Sequence, residues 1–549
     1  MRKLIKNLLS LALVGMVVVS CGNPTKMAKN ADQVSVKCDP QTLEVVADKI
    51  VANVTVNFPN EFFHPKGIVE VTPVLVYQGG EATGKIIMLQ GEKVTENYKT
   101  VPVTGAAVAE NFEFDYKPGM EKSHLELRMT VIHKDKRVPF ASAYKVADGA
   151  NTTYKLVKTC GALAYAPDAY QAIIPEQGEA QILYLINSAS VRPSQLKSDE
   201  VKAFQDFLKN VKADERREIK NTTIVSYASP DGKYELNEKL SAKRAETANK
   251  AFTKTINKKV GVEAPVVSES ISEDWDGFKE LVENSNIEDK DLIIRVLEMY
   301  SDPAVREREI KNMSQVFSIL AKEVLPQLRR ARFIANIDFK NYTDEELVAL
   351  VDSNIEILDE EALLHAATLI EANETKASIY NKAINKFSSN RAMINAAVTY
   401  LKMEKVAEAK AILAKVSEKT AYYYNTIGVI ALRNNDLEGA KSNFSQSNIK
   451  EAQYNLAVLD VINGKYADAA KKIAGANNFN EALISILNND LAKANSILKD
   501  SKCACSAYLK AIVAARQGKV EEAKAALEIA KKGEYKDRIA NDIEFAKVK

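Results

Sequence analysis

The pattern of hydrophobic and polar positions changes character twice along the chain. From about residue 37 to 165, short runs of alternating β-branched and aromatic residues are separated by turns rich in Gly, Pro, Asn and Lys, as in VANVTVNF (51–58). Short strands at this spacing predict a β-sandwich. Between about 180 and 342, strand patterns alternate with amphipathic helices, which predicts an α/β domain. From 343 to 549 the periodicity is helical throughout, which predicts an all-α region.

The helical region contains internal repeats. Five short turns each place a large apolar residue three positions before an alanine, and these turns begin 31, 29, 25 and 29 residues apart. They begin at Val406, Leu437, Tyr466, Leu491 and Val520. This spacing predicts pairs of helices stacked into a solenoid, with the second helix of each pair starting at the turn.

One of these units is similar to the tetratricopeptide repeat. The residues that carry the similarity are Tyr424, Ile427, Gly428, Ala431, Ala440 and Phe444. The other units are shorter than the 34-residue period of that family and lack most of its large residues, so the region resembles a degenerate tetratricopeptide-like solenoid. Such arrays present a concave surface to peptides or proteins, and the resemblance therefore implies an unidentified protein partner.

Residues 1–21 have the pattern of an export signal. Arg2, Lys3 and Lys6 precede an apolar run that is too short for a comfortable membrane span, and a small residue stands before Cys21. The ending Val-Val-Ser-Cys resembles a bacterial lipobox. That resemblance implies cleavage before Cys21 and acyl chains on its sulfur, which form a stable membrane anchor. The alternative is an ordinary cleaved signal with an incidental cysteine.

The predicted signal peptide therefore covers residues 1–20. Residues 21–36 are small and polar, which predicts a tether between the lipid and the β domain. No other apolar stretch approaches the ~20 residues that a membrane-spanning helix needs. The sequence thus predicts an exported chain that is attached to the membrane only by its lipid.

The α/β region carries a motif order that is known from one envelope family. The residues that carry it are the strand-turn SYASPDG (226–232), Asn237, Leu240, Ser241, Arg244, Ala245, Arg329 and Arg330. They resemble the OmpA C-terminal domain, the peptidoglycan-associating module of bacterial envelopes. A longer helical stretch at about 275–325 looks like the insert of a Bacteroidetes branch. The chain as a whole therefore resembles a Bacteroidetes outer-membrane lipoprotein. In such lipoproteins an acidic run soon after the cysteine accompanies surface display, and its absence after Cys21 implies an outer-membrane location facing the periplasm.

This resemblance implies a site for the peptidoglycan stem peptide. In the family, an Asp of the strand-turn and an Arg of the following helix bind the ammonium and the carboxylate of a diamino acid. Arg244 matches the second position, whereas the Asp position falls on Ser229. The implied binding residues are Ser229, Asp231, Asn237 and Arg244. The alternative is that Arg244 is a surface arginine paired with Glu235 or Glu238, and that Asp231 only forms the turn.

Composition removes several function classes. The 549 residues include 75 Lys and Arg against 73 Asp and Glu, and a net charge of +2 provides no field that would attract nucleic acid. Four scattered histidines and no Cys/His cluster argue against a zinc site or a histidine-based catalytic centre. No phosphate-binding loop or nucleophile motif occurs. The sequence therefore predicts a protein without enzymatic activity, cofactor or metal.

The other four cysteines leave two questions. Cys38 and Cys160 bracket the β region, and they are either joined by a disulfide or are two buried free thiols. Cys503 and Cys505 are better interpreted as two buried small residues in a helix pair than as a strained disulfide or a redox site.

Together these features predict a lipid-anchored cell-envelope protein that links the outer membrane to peptidoglycan and recruits a protein partner through its helical repeats. The alternative is an envelope scaffold or adaptor whose OmpA-like domain no longer binds peptidoglycan. The substitution of serine at position 229 motivates that alternative, because a hydroxyl is a weaker acceptor for an ammonium group than a carboxylate is.

Overall fold

The computed structural model of the chain describes residues 23–261 and 263–548. The predicted signal peptide and the predicted lipid-attachment residue, Cys21, lie outside these residues. The contacts within the chain define two compact units, one formed by Met1–Ala166 with Met393–Lys549 and the other by Pro167–Ala392. Among the helices of the described residues, none has the length and the apolar content needed to cross a bilayer.

The first unit begins with a β domain, as expected. Its strands are β1 (Ser35–Asp39), β2 (Thr42–Val46), β3 (Lys49–Phe58), β4 (Ile68–Tyr77), β5 (Gly80–Thr83), β6 (Ile87–Gly91), β7 (Lys99–Val101), β8 (Ala106–Asp115), β9 (Ser123–His133), β10 (Lys136–Pro139) and β11 (Tyr144–Asn151). They are hydrogen-bonded in the order β1-β3-β2-β11-β9-β4-β6-β7, with β8 on β3, β5 on β4 and β10 on β9.

The strands form one continuous sheet instead of the two separate sheets of the expected sandwich. Strand β2 makes the sheet continuous, because it pairs with β3 on one side and with β11 on the other. Strand β3 shows the alternation that predicted it, since Ile50, Ala52, Val54 and Val56 are all buried. These side chains share one apolar core with those of β4 and β9 and with residues of the repeat helices such as Val461.

Part of the predicted tether belongs to the β domain. Pro24–Gln33 form a 3-10 helical segment, and Met27 and Ala28 are buried in the core of the sheet. The hydroxyl of Tyr144 on β11 donates to the carbonyl of Ala31 in the same segment. The buried side chains of this segment, with this hydrogen bond, hold it against the β domain although its composition is polar.

The second unit contains a four-stranded sheet. Its strands are β12 (Ile173–Leu183), β13 (Arg217–Tyr227), β14 (Val266–Ile271) and β15 (Arg330–Lys340). Their order is β12-β15-β13-β14, and only the β13–β14 pair is parallel. The crossover helices are α1 (Asp199–Ala213) and α2 (Tyr234–Ala251), and the latter continues through a wider turn at Phe252–Asn257 into α3 (Lys258–Val260).

The second unit has further helices between β14 and β15 and after β15 in the sequence. Five lie where the insert was expected, namely α4 (Trp275–Glu283), α5 (Lys290–Met299), α6 (Pro303–Asn312), α7 (Ser314–Glu323) and α8 (Leu325–Leu328). Three more follow β15, namely α9 (Asp344–Ser353), α10 (Glu360–Leu369) and α11 (Asn373–Phe387).

The remaining chain forms helix pairs. The first helices of the pairs are α12 (Asn390–Lys402), α14 (Ala421–Arg433), α16 (Lys450–Ile462), α18 (Phe479–Leu487) and α20 (Ala504–Arg516). The second helices are α13 (Val406–Leu413), α15 (Leu437–Phe444), α17 (Tyr466–Ile473), α19 (Leu491–Leu498) and α21 (Val520–Ala530). Each second helix begins at the residue where the sequence predicted a turn, so the helix-pair prediction is confirmed.

Small residues let the paired helices approach closely, as their positions in the repeat suggested. A Cβ atom at Gly428 on α14 would lie 2.5 Å from the ring of Phe444 on α15, and the ring itself is fully buried. Any larger residue at 428 would therefore push α15 away from α14.

Candidate functional site

The structure brings the four residues predicted to bind peptidoglycan to one end of the α/β sheet. Ser229 and Asp231 lie in the turn that follows β13, and Asn237 and Arg244 lie on α2. The Nδ2 of Asn237 donates to the backbone carbonyls of Ser229 at 3.1 Å and of Gly232 at 3.0 Å. Asn237 is therefore the residue that fixes the turn against the start of α2.

Ser229 and Asp231 are already engaged within the protein. The hydroxyl of Ser229 donates to the carboxylate of Asp231. Arg329, which directly precedes β15, donates to Ser229 Oγ at 3.2 Å and forms an ion pair with Asp231 at 3.2 Å. Because this arginine and this carboxylate are largely buried, their charges neutralise each other locally. The turn therefore presents no unpaired carboxylate to a ligand ammonium.

Arg244 is enclosed by the protein, with only 1% of its surface exposed. Its guanidinium donates to the backbone carbonyls of Ser188 at 3.0 Å, Tyr227 at 2.8 Å and Leu185 at 3.3 Å. The side chain thus ties the loop after β12 and the end of β13 to α2. An incoming carboxylate would have to displace at least part of this network to reach the guanidinium.

Among the described residues, Arg244 forms no ion pair. Within residues 23–261 and 263–548, no carboxylate lies within 4.0 Å of its guanidinium, although the charge of Asp231 acts on it from farther away. The guanidinium carbon lies 5.0 Å from the centre of the Tyr184 ring. Burial lowers the pKa of Arg244 to about 10, and the positive charge of Arg329 acts in the same direction. The alternative of a surface arginine paired with Glu235 or Glu238 is wrong, because the side chain points inward to carbonyls.

The helical insert covers the turn. Lys311 on α6 donates to the backbone carbonyl of Asp231 at 3.1 Å. At the start of α4, Asp274 accepts from the backbone N–H of Gly277 at 2.9 Å and pairs with Arg330 at 3.0 Å. Burial raises the pKa of Asp274 despite this arginine. Arg329 and Arg330 are therefore both paired with carboxylates inside the protein.

A second set of buried polar residues lines the repeats of the first unit and was not predicted from the sequence. We call it the asparagine ladder; its members are Asn395, Asn425, Asn455 and Asn480, on α12, α14, α16 and α18. Each is at most 1% exposed. They contact residues 158–166, which we call the groove segment. This segment follows the β domain in the sequence and ends at Ala166, the last residue of the first part of this unit.

Three of the four amides bind one residue of the groove segment each, at both its N–H and its carbonyl. The pairs, with the distances to N and to O, are Asn480 with Lys158 (2.9 and 2.9 Å), Asn455 with Ala162 (2.6 and 2.9 Å) and Asn395 with Ala166 (2.7 and 2.9 Å). Such contacts recognise the main chain of an extended peptide and are independent of its side chains. The repeats therefore bind polypeptide backbone, and in this chain they bind their own.

Two further contacts fix the groove segment. Arg433 donates to the backbone carbonyl of Cys160 at 2.8 Å. Gly161 has a φ of +77°, and a Cβ atom there would lie 2.8 Å from the side chain of Val429. Only glycine satisfies both the left-handed backbone and the close approach to α14.

The sequence did carry a signal for the ladder. Its members are 30, 30 and 25 residues apart, which follows the spacing of the predicted turns. An asparagine that recurs on the buried face of successive repeats indicates a shared polar partner. The reason is that a buried amide without a hydrogen-bond partner lowers stability. The identity of that partner depends on the tertiary fold.

The exposure of the cysteines does not match either interpretation made from the sequence. Cys38 is buried and Cys160 is exposed, and both are free. Cys503 is exposed and Cys505 is half-buried, so their interpretation as two buried small residues is wrong. In the part of the chain that the structure describes, no group of three or more His, Cys, Asp and Glu side chains is placed to bind a metal ion.

Neither a protein-family model nor a curated protein matches this chain. Among solved structures, a tetratricopeptide repeat protein from Parabacteroides merdae is similar to it at 14% identity and a TM-score of 0.27, over 37% of this chain and 91% of that one. PilF of Pseudomonas aeruginosa is similar at 16% identity and a TM-score of 0.28, over 38% of this chain and 99% of that one. Scores at this level do not establish a shared fold.

Proposed function

We propose that this chain is a non-enzymatic, lipid-anchored adaptor of the cell envelope whose OmpA-like domain does not bind peptidoglycan. The observation that carries the choice of an adaptor over a wall anchor is the environment of Arg244. Its guanidinium is enclosed and donates to three backbone carbonyls. Using it for a ligand would leave those carbonyls unpaired, at about 1–3 kcal/mol for each buried group.

The turn supports the same choice. Asp231, the remaining acidic residue of the predicted site, is paired with Arg329, and Lys311 of the insert donates to its backbone carbonyl. The strand order and the crossover helices agree with the α/β arrangement that the resemblance to the OmpA C-terminal domain implies. We infer that this chain keeps the architecture of that domain while its binding residues serve its own stability.

We infer that a protein partner binds the repeats outside the groove, since the groove segment fills it. Val520 and Ile529 on α21, the last helix of the repeats, are exposed apolar side chains. Such residues are candidates for a contact with another protein. A photo-crosslinking residue at position 529 should therefore link to another protein in intact cells. The same residue at position 425, which is buried against the groove segment and Asn455, should link only within the chain.

The membrane location rests on the sequence of residues 1–21. We propose that acyl chains on Cys21 attach the adaptor to the outer membrane, with the body facing the periplasm. Labelling with radioactive palmitate tests this attachment. Label that disappears in Cys21→Ala supports it, and label that persists in that variant contradicts it.

Sedimentation with purified peptidoglycan sacculi tests the adaptor proposal. The full chain should stay in the supernatant at physiological ionic strength, because Arg244, Arg329 and Arg330 of the predicted site are engaged within the protein. Co-sedimentation would instead support the second candidate, a wall anchor. That candidate is favoured by one observation: within the described residues, no carboxylate lies within 4.0 Å of the buried Arg244 charge, which a ligand carboxylate would compensate.

The two candidates predict different responses to competition. For a wall anchor, a free diamino acid with the stem-peptide chemistry should release the chain from sacculi. Asp231→Asn should weaken co-sedimentation, whereas Lys243→Gln on the exposed face of α2 should leave it unchanged. For an adaptor, all three chains should remain equally in the supernatant.

A further inference from the structure

The two cysteines of the KCACS segment form a pair at the start of α20. Cys503 is the residue that caps this helix, and its sulfur accepts from the backbone N–H of Ser506 at 3.3 Å. The sulfur of Cys505 lies 2.7 Å from that of Cys503. Because Cys503 is exposed and Cys505 is half-buried, a reagent from solvent reaches Cys503 first.

Charged and titratable groups from three elements face this pair. Lys158 of the groove segment interacts with the sulfur of the second cysteine and forms an ion pair with Glu534 at 3.3 Å. Tyr535, next to that glutamate, also lies near the second sulfur. On α20 itself, Lys510 donates to the backbone carbonyl of Ser501 at 2.8 Å, in the turn before the helix. The N-terminus of α20 stabilises a thiolate on its capping residue Cys503, whereas Lys158 favours the thiolate form of Cys505.

The two thiols are inequivalent. Burial alone would raise the pKa of Cys503, but hydrogen bonds with Cys505, Ser506 and Ser501 outweigh it and lower that pKa to about 6. Burial raises the pKa of Cys505, and its hydrogen bond with Cys503 adds to this effect. In this coupled pair the charge therefore resides on the exposed sulfur and the proton on the inner one.

We propose that Cys503 and Cys505 form a thiol–disulfide exchange site, in which Cys503 attacks a small-molecule disulfide and Cys505 resolves the product. This activity goes beyond the adaptor function and does not depend on it. The reaction is stoichiometric, so it requires no catalytic turnover.

The exchange proceeds in two displacements. First, the Cys503 thiolate attacks one sulfur of the disulfide, so that a mixed disulfide forms, the original S–S bond breaks and one thiolate leaves and takes up a proton. Cys505 then loses its proton and attacks the sulfur of Cys503, and the second thiolate leaves and is protonated. The two cysteines are oxidised by two electrons, and the small disulfide is reduced to two thiols.

Peptide mapping of the full chain tests the proposal with 2-hydroxyethyl disulfide as the probe. Trypsin cleavage after Lys502 and Lys510 releases residues 503–510, which contain both cysteines and none of the others. After exposure of the reduced chain, this peptide should carry an internal disulfide, and two small thiols should be released for each such disulfide. In Cys505→Ser the reaction should stop at a mixed disulfide on Cys503.

A measurement on the unmodified chain complements these variants. The alkylation rate of Cys503 by iodoacetamide should rise with pH and level off above a midpoint of about 6, and Cys505 should react more slowly. Cys160, the other exposed cysteine, is quantified in the same digest as a reference. A mixed disulfide that persists in the wild-type chain, or alkylation of Cys505 before Cys503, would overturn the proposal.

Discussion

Asn455 binds both polar groups of Ala162: its Oδ1 accepts from the backbone N–H at 2.6 Å and its Nδ2 donates to the carbonyl at 2.9 Å. Asn425 of the preceding repeat donates to the same carbonyl at 3.0 Å and accepts from Asn455 at 3.0 Å. Neighbouring repeats therefore share one residue of the groove segment. The groove segment, which follows the β domain, is therefore bound by the repeats through its backbone.

Removing one amide of the ladder should destabilise the first unit. We expect Asn455→Ala to lower its free energy of unfolding by about 1–3 kcal/mol, because the N–H of Ala162 loses its acceptor. Asn495→Ala, on the exposed face of α19, is the matched control and should change it by less than about 0.5 kcal/mol. Denaturant unfolding followed by circular dichroism measures both. Equal losses in the two variants would contradict the role of the ladder.

Alanine variants at two glycines distinguish the cost of backbone strain from the cost of a steric clash. Gly161 and Gly475 have φ values of +77° and +88°, but only at Gly161 would a Cβ atom meet a neighbour within 4 Å, the side chain of Val429. Both alanine variants should lose about 1–2 kcal/mol from the left-handed backbone. Gly161→Ala should lose a further ~1–3 kcal/mol from overpacking.

Thermal unfolding of these variants measures the difference. In the Gly161→Ala background, Val429→Ala should recover part of the melting temperature, because it removes the atoms that the new methyl group meets. If Gly161→Ala and Gly475→Ala melt at the same temperature, the groove segment does not pack against α14 as described.

Arg244 should be needed for the stability of the α/β domain. Arg244→Ala leaves the carbonyls of Ser188, Tyr227 and Leu185 without their donor, and we expect a loss of about 2–4 kcal/mol. Lys243→Ala removes an exposed neighbour and should have little effect. The chain has a single tryptophan, Trp275, which lies in the second unit, so its fluorescence reports the unfolding of that unit. Equal midpoints for the two variants would place Arg244 at the surface.

Glu481 should make the first unit sensitive to acid. Burial alone would raise the pKa of Glu481, but Lys493 and the backbone N–H groups of Asn477 and Gly475 outweigh it and lower the pKa below its ordinary value of 4.5. A carboxyl whose pKa is lowered by folding contributes stability above the unfolded pKa, and that contribution is lost as pH falls through the lower folded value.

Glu481→Gln tests this contribution. The variant should be less stable than the wild type at about pH 7, and the difference should shrink below pH 4.5, where the wild-type carboxylate becomes protonated. Glu521→Gln, an exposed glutamate of α21, is the control and should differ little from the wild type at either pH. A difference for Glu481→Gln that is independent of pH would argue for a role other than its charge.

Local patterns predicted the helix pairs well. The starts of α13, α15, α17, α19 and α21 follow from a large apolar residue and an alanine three positions later, which are features of one short segment. The burial of Met27 and Ala28 was not predictable in the same way. It depends on a surface formed by strands that lie later in the chain.

The sequence predicted where the candidate site lies, but not that its side chains are engaged within the protein and closed to a ligand. The motif order grouped Ser229, Asp231, Asn237 and Arg244, and in the structure Asn237 on α2 contacts the turn that holds Ser229 and Asp231. The enclosure of Arg244 depends on the loop after β12, more than 50 residues earlier in the chain. The glutamates near it on α2 favoured a surface pairing, because sequence reports only local neighbours.

Amide hydrogen exchange of the groove segment in the full chain tests the central claim most directly, namely that the repeats bind their own chain by its backbone. The N–H groups of Lys158, Ala162 and Ala166, which donate to ladder asparagines, should be strongly protected, with faster exchange at residues between them. Uniformly fast exchange across residues 158–166 would contradict the account, because it would mean that the groove of the repeats is open.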